Sequence, residues 1–322
     1  QLEERYAVEV VEELAATAPV VVLAGNHDVP LAGTGATALE CLKLRANIHV
    51  VELPQVLVVC PGLALACIPY PRRAELIALA PEGSREERYA AASQELKRLI
   101  QGLRIKAERA HPGTAKVALY HGSLDGAVVG VQPRALTGDI AVHPDDFMGF
   151  DYAACGHIHK MQSLSTTVWY AGSVDRVDFD EEADVKCALD VRVAPGALVV
   201  SMLRTPARRY VTLAPADDAD WEPGVVYRFK ATDATPAEAD TVRKRVGALA
   251  SDGVWATASV RVASVCRARD AAATADESAS DLLVRWLIAN PSHVDDLAAQ
   301  HGASCDDVRR DLHLLSQSMT GE

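Results

Sequence analysis

Short aliphatic runs recur through the first two hundred positions, each closed by glycine, proline or a polar cluster, with helix-periodic stretches between them. Residues 20–24 read Val-Val-Val-Leu-Ala, 115–120 read Ala-Lys-Val-Ala-Leu-Tyr and 152–155 read Tyr-Ala-Ala-Cys. Apolar runs of this length bounded by turn residues predict buried strands. Residues 2–16 predict a helix, and 85–110 predict a long amphipathic one in which Leu96, Leu99, Ile100 and Leu103 share a face. This alternation, up to about residue 203, is that of a layered α/β domain. After residue 159 the pattern turns to β: 167–170, 188–193 and 197–200 read as antiparallel strands of a second sheet.

Beyond Thr205-Pro206 a strand at 225–229, a helix at 236–249 and a strand at 256–262 predict a compact β-α-β unit. A polar, alanine-rich linker at 271–279 leads to helices near 280–289, 294–300 and 306–317, with His301-Gly302-Ala303-Ser304 as a turn. Their order resembles a helix-turn-helix. The third helix carries Asp306, Asp307 and Asp311 beside Arg309 and Arg310, which favours packing or partner docking over reading DNA.

Charge narrows the choice of partners. With 32 basic and 44 acidic residues the formal net charge is -12, so bulk electrostatics does not favour nucleic acid. Any DNA contact must be local, and the candidates are Lys97-Arg98 to Arg109, Arg208-Arg209, Arg243-Lys244-Arg245, and Arg261 with Arg267 and Arg269. Each also reads as a solvated face balanced by nearby acids. No run approaches the ~20 apolar residues of a membrane-spanning helix. Seven cysteines lie scattered without a Cys-x-x-Cys pair, a pattern expected of reduced thiols in a cytoplasmic protein.

Three motifs carry candidate chemistry, each directly after one of the predicted strands. They are Gly25-Asn26-His27-Asp28, His121-Gly122-Ser123 and Gly156-His157-Ile158-His159. Side chains at the carboxyl ends of strands in an open α/β sheet converge on a common crevice. Asn26 offers an amide oxygen and His121, His157 and His159 offer imidazoles, a donor set suited to Mn, Fe or Zn rather than Ca or Mg. A one-residue spacing in extended backbone would send both imidazoles of His157 and His159 to one side. Gly25 and Gly156 would serve a sharp turn or a close approach. Asp125 and Ser123 lie nearby with nothing beyond proximity to recommend them. His143 with Asp145 and Asp146 could be a ligand cluster, but reads better as a helix start.

The three motifs in this order resemble the second half of the calcineurin-like metallophosphoesterase signature. The likeness is nearer to the SbcD-type nuclease subunit of a double-strand-break repair complex, with support from Ile68-Pro69-Tyr70-Pro71-Arg72-Arg73, Tyr170-Ala171-Gly172-Ser173 and Thr205-Pro206 with Arg208-Arg209-Tyr210. The resemblance implies a β-sandwich core flanked by helices over 1–204, a small α+β capping domain over 205–270, and a linker with C-terminal helices over 271–322. It implies two divalent metals, Mn first, with Mg, Fe or Zn as alternatives. Asn26, His121 and His157 would hold the second metal and His159 would serve the first. His27 would contact the scissile phosphate, with Asp28 orienting it. The implied activity is metal-dependent hydrolysis of DNA in repair and recombination, with an SbcC-type ATPase as partner and a homodimer at the centre of the assembly. The alternative is a metallophosphoesterase acting on a small nucleotide or a phosphoprotein.

The family opens with Asp-x-His and Gly-Asp-x-x-Asp, which should supply the remaining ligands of the first metal and the carboxylate that bridges both. Neither is found ahead of Gly25. The resemblance therefore implies a fragment lacking the first two strands of the core, and one with little or no activity of its own.

Overall fold

Among the described residues the aliphatic runs become strands and the periodic stretches helices. The computed structural model describes residues 2–28, 37, 39–78, 83–130, 139–262 and 287. In chain order the elements are α1 (Leu2–Ala15), β1 (Val20–Leu23), α2 (Glu40–Lys43), β2 (Ile48–Val51), β3 (Gln55–Cys60), β4 (Leu63–Ile68), α3 (Arg73–Ala78), α4 (Arg85–Ala110) and β5 (Ala115–His121). There follow β6 (Tyr152–Gly156), β7 (Gln162–Ser163), β8 (Val168–Tyr170), β9 (Cys187–Ala194), β10 (Ala197–Arg204), β11 (Tyr210–Leu213), β12 (Val226–Ala234), α5 (Pro236–Ser251) and β13 (Trp255–Val262). The fold is mixed α/β.

The central sheet has six strands in the order β3-β4-β5-β6-β8-β7, parallel from β4 through β8 and antiparallel at both edges. Its inner parallel strands β4, β5 and β6 are largely apolar on both faces, as parallel strands covered on both sides must be. Ala66, Ile68, Ala118, Tyr120, Ala153 and Cys155 pack with Ala92, Leu96, Ile100 and Leu103 of α4. Leu65, Cys67, Val117 and Tyr152 pack instead with Val21 and Leu23 of β1 and with Val191, Val193, Leu198 and Val200 of β9 and β10. Burying side chains such as Leu96 and Ile100 fully contributes about 1.5–3 kcal/mol each.

The start of α4 is fixed by a capping box: the Ser84 hydroxyl accepts the Glu87 N–H and the Glu87 carboxylate accepts the Ser84 N–H. β1 and β2 form a separate parallel pair, with α1 packed against it through Val8, Val11 and Ala15.

One sequence expectation is corrected. β8 does not join a second antiparallel sheet; it pairs parallel to β6 in the central one. Val168 and Tyr170 are buried on the α4 side while Trp169 packs toward the β9–β10 side, so this short strand is apolar on both faces like β6. β9 and β10 do form the expected antiparallel hairpin. The β-α-β unit is present as β12, α5 and β13, in a three-stranded sheet ordered β11-β12-β13.

The chain divides into two compact units, Gln1–Arg261 and Val262–Glu322. The expected linker, the C-terminal helices and their helix-turn-helix order, together with Arg267 and Arg269, lie outside the described residues.

Candidate metal centre

β1, β5 and β6 all end at one crevice, and each end is held in place. The N–H of Ala24 donates to Val51 O and that of Tyr70 to Ala24 O, both at 2.9 Å, docking the end of β1 against its neighbours. The fully buried Tyr170 donates its hydroxyl to Gly122 O at 2.7 Å, and Tyr120 donates to Ser123 O at 3.3 Å. His121 therefore ends β5 just before a loop that two buried tyrosines fasten.

Three of the four expected metal ligands meet. Asn26 Oδ1 lies 3.1 Å from His121 Nε2 and 3.3 Å from His157 Nδ1. Donors at right angles around a metal with ~2.0–2.2 Å bonds are separated by roughly 3 Å, so these spacings suit a shared ion. Hydrogen-bond bookkeeping agrees. His157 Nε2 is 2.8 Å from the acceptor Asp139 Oδ2, so a neutral ring carries its one proton there and turns the Nδ1 lone pair toward the Asn26 oxygen. A cation between them relieves that clash; so would turning the amide to present its NH2. Among the described residues no group of three or more His, Cys, Asp and Glu could hold a metal unaided, so the set depends on the Asn26 amide.

The route by which His157 reaches the site differs from the expectation. β6 ends at Gly156, and His157 has φ +99°, a left-handed conformation that non-glycine residues rarely adopt. The extended backbone assumed for His157-Ile158-His159 is therefore absent, although both imidazoles line the same cleft, of about 470 Å³. The two glycines serve close approach rather than a special φ. A Cβ on Gly25 would lie 2.8 Å from His121 Cε1, and one on Gly156 would lie 3.1 Å from His121 Nδ1, so the ring packs closely against both backbones.

Asp139 has no counterpart in the sequence reading. It accepts the Tyr70 hydroxyl on Oδ1 at 3.0 Å, and on Oδ2 the Ser123 hydroxyl at 2.7 Å as well as the His157 ring. Burial pushes its carboxyl pKa up, but these hydrogen bonds outweigh that and hold it below the ordinary value. Ser123, set aside on sequence alone, is thus tied to the centre through Asp139. The Tyr70 ring stands edge-on to His121 and tilted over His157, which gives the Ile68 to Arg73 segment a place at the site.

His159, the fourth expected ligand, lies along the same cleft and is held at Nδ1 by Glu181 Oε1 at 2.7 Å. His27 is exposed and lines the cleft. Asp28 accepts the Gly25 N–H at 2.8 Å, so among the described residues it closes its own loop rather than bonding the His27 ring. His143, Asp145 and Asp146 form the helix start that was expected: the His143 ring accepts the Asp145 N–H and Asp146 accepts the His143 N–H around a 3-10 turn.

Burial, with the neighbouring His157 second, lowers the pKa of His121 to about 4. A neutral ring at pH 7 is what a metal ligand requires. The folded value lies below the ordinary 6.5, so the unfolded chain binds the extra proton first. Stability from this group is complete above about pH 6.5 and falls as the pH drops toward 4. For metal-free protein we expect a loss on the order of 2 kcal/mol across that window. Urea denaturation at pH 7, 5.5 and 4 should show His121→Gln with a shallower pH slope than the wild type; equal slopes would refute the assignment.

Most of the candidate basic stretches are balanced by acids. Lys97 pairs with Asp146, Arg98 with Glu95, Arg208 with Asp175, Arg209 with Glu222, Lys244 with Asp240 and Arg245 with Asp218. No helix among the described residues is long and apolar enough to cross a membrane. No family model matches the chain.

Proposed function

We propose that this chain carries part of the catalytic core of a calcineurin-like metallophosphoesterase of the SbcD type, a DNA phosphodiesterase. The observation that carries the reading is the meeting of Asn26 Oδ1, His121 Nε2 and His157 Nδ1 at the carboxyl ends of three strands, with a carboxylate behind His157. A carboxylate on the far nitrogen of a ligating histidine fixes its tautomer and raises its basicity. The central sheet, with α4 on one face and β1, β9 and β10 on the other, is compatible with the sandwich that the family uses.

Divalent metal at such a centre lowers the pKa of a bound water and neutralises charge on the phosphoryl oxygens. In this reading Asn26, His121 and His157 hold one ion and His159 contributes to a second. Exposed His27, beside them on the cleft wall, meets the phosphate and supplies the proton taken up by the leaving oxygen. The SbcD assignment rests on the motifs and on the β12-α5-β13 unit that follows the core. An SbcC-type ATPase as partner and the homodimer belong to the same proposal.

Titration of the 322-residue chain with Mn(II), followed by calorimetry and by the electron-spin signal of free Mn(II), tests the centre. One equivalent should bind, and His121→Ala should abolish it. No binding by the wild type, or binding that survives His121→Ala, defeats the metal reading; two tight sites would contradict the division of ligands. The substrate is tested in a form that also carries Asp-x-His and Gly-Asp-x-x-Asp strands. Mn-dependent cleavage of linear and hairpin duplex DNA, lost in His27→Ala, is expected. Turnover of a small phosphodiester without DNA cleavage would move the assignment to the nucleotide or phosphoprotein class.

A further inference from the structure

The second histidine of the Gly-His-x-His segment is held more completely than a half-exposed surface side chain requires. Its Nδ1 meets Glu181 Oε1 at 2.7 Å, and the two side chains are 49 % and 6 % exposed. The other oxygen of Glu181 accepts the ammonium of Lys186 at 2.8 Å and the Val177 N–H at 3.2 Å. Lys186, only 1 % exposed, also donates to the backbone carbonyl of His159 at 3.0 Å and to the Ser173 hydroxyl at 2.9 Å. The His159 carbonyl takes a second donor, the Ser173 N–H, at 3.0 Å. One buried ion pair therefore grips both ends of a single residue, its carbonyl and its ring.

Glu181 is itself fixed. It ends a 3-10 turn, Phe179–Glu181, that is capped by Asp178, and its carbonyl accepts Arg176 Nε at 3.0 Å. Gly172 lets the chain pass directly over this arrangement: at φ +80°, a Cβ there would lie 2.7 Å from His159 O and 2.8 Å from Met161 N. Burying Glu181 and Lys186 together is costly unless the remaining lone pairs and protons are satisfied. Here they are, and the bonds left over go to His159.

We infer that Glu181, locked by Lys186, is the positioning residue that fixes His159 as its Nδ1–H tautomer and presents Nε2 as a bare lone pair to the cleft. An ionised carboxylate accepts and never donates, so a neutral ring must place its one proton on Nδ1 to make the bond. The arrangement mirrors the first histidine with the nitrogens exchanged: Asp139 takes Nε2 of His157 and frees Nδ1. The two rings thus offer opposite nitrogens to one cleft, each backed by a carboxylate. The inference rests on the proposed metal reading for its purpose, since a lone pair at Nε2 is what a ligand needs. Its geometry is independent of whether metal binds.

The test is made on the metal-free 322-residue chain in chelator, with 15N-labelled histidine and long-range 1H–15N correlation spectra at pH 7.5, where the tautomer of each ring is read directly. His159 is assigned by the signal missing from His159→Gln. The wild type should show His159 as a single Nδ1–H tautomer. Glu181→Gln, whose amide can either accept or donate, should convert it to a mixture of both tautomers. Because Glu181→Gln leaves the buried Lys186 with only the more distant Asp184, at 3.7 Å, Glu181→Gln combined with Lys186→Met removes both charges of the pair and provides a second variant for the same readout. A tautomer mixture in the wild type, an Nε2–H form, or an unchanged Nδ1–H form in either folded variant would overturn the inference. If the wild type shows the Nδ1–H form and Mn(II) titration fails, the positioning role stands and the metal reading alone falls.

Discussion

Replacing Gly25 by alanine should weaken Mn(II) binding by roughly 100-fold, the upper end of what is seen when the support of a metal ligand is disturbed. The new methyl would lie 2.8 Å from His121 Cε1 and 2.9 Å from Nε2, closer than real Cβ contacts come. The ring is also packed closely against Gly156, where a Cβ would lie 3.1 Å from His121 Nδ1. Forcing atoms into a packed site costs about 1–3 kcal/mol, so a fall in Tm should accompany the loss of binding. Gly102→Ala, in the middle of α4 with open space around its Cβ, is the control. It should leave binding unchanged and raise stability by about 0.8–1 kcal/mol, the difference in helix propensity. Calorimetric Mn(II) titration and thermal melts of both variants decide the matter; a Gly25→Ala protein that binds like the wild type would remove His121 from the proposed centre.

Asp139→Ala should lower Mn(II) affinity by about 10–100-fold although Asp139 is not assigned as a ligand. It supports the centre from behind, and without it His157 can hold either tautomer and turn away. The same substitution removes an acceptor from the Tyr70 and Ser123 hydroxyls, and for the buried Ser123 the loss costs about 1–3 kcal/mol. Asp139→Asn offers one oxygen where the carboxylate offers two. It can still serve the Oδ2 side, which receives Ser123 and His157, while its NH2 faces the Tyr70 hydroxyl, so we expect it to fall between wild type and Asp139→Ala. Affinity within twofold of wild type for Asp139→Ala, with an unchanged melt, would show that the carboxylate does no work on His157.

The parts of this structure that were legible in the sequence are those set by short-range chemistry. α4 begins after a serine with glutamate three positions on, and its buried Leu96, Ile100 and Leu103 repeat at helical spacing, so its span was readable. The ends of β1, β5 and β6 were readable because each apolar run stops at a motif. β8 was misplaced because a run of three residues says nothing about which sheet will receive it. The conformation of His157 was hidden because a left-handed non-glycine residue follows from the surrounding packing, not from its own type. Asp139 and Glu181 were missed for a related reason. They lie 18 and 22 positions along the chain from the histidines they hold, too far apart for sequence spacing to pair them. Only the folded backbone shows that these two carboxylates meet imidazoles.

The donors that converge on the Asn26 amide come from positions 95 and 131 residues further along the chain, and Gly156 stands directly opposite His121 in the β5–β6 ladder. A shift of one residue in that pairing would turn every side chain of β6 to the opposite face. His157 would then leave the cleft while the hydrogen-bond ladder stayed complete. In this reading the centre discriminates between the native alignment of the strands and its nearest misaligned rival, which differ little in backbone bonding. An ion that binds only the aligned form shifts the population toward it by mass action, by about 2.7 kcal/mol at a hundred times its Kd. Metal would thus act as a proofreader of strand alignment as well as a reagent.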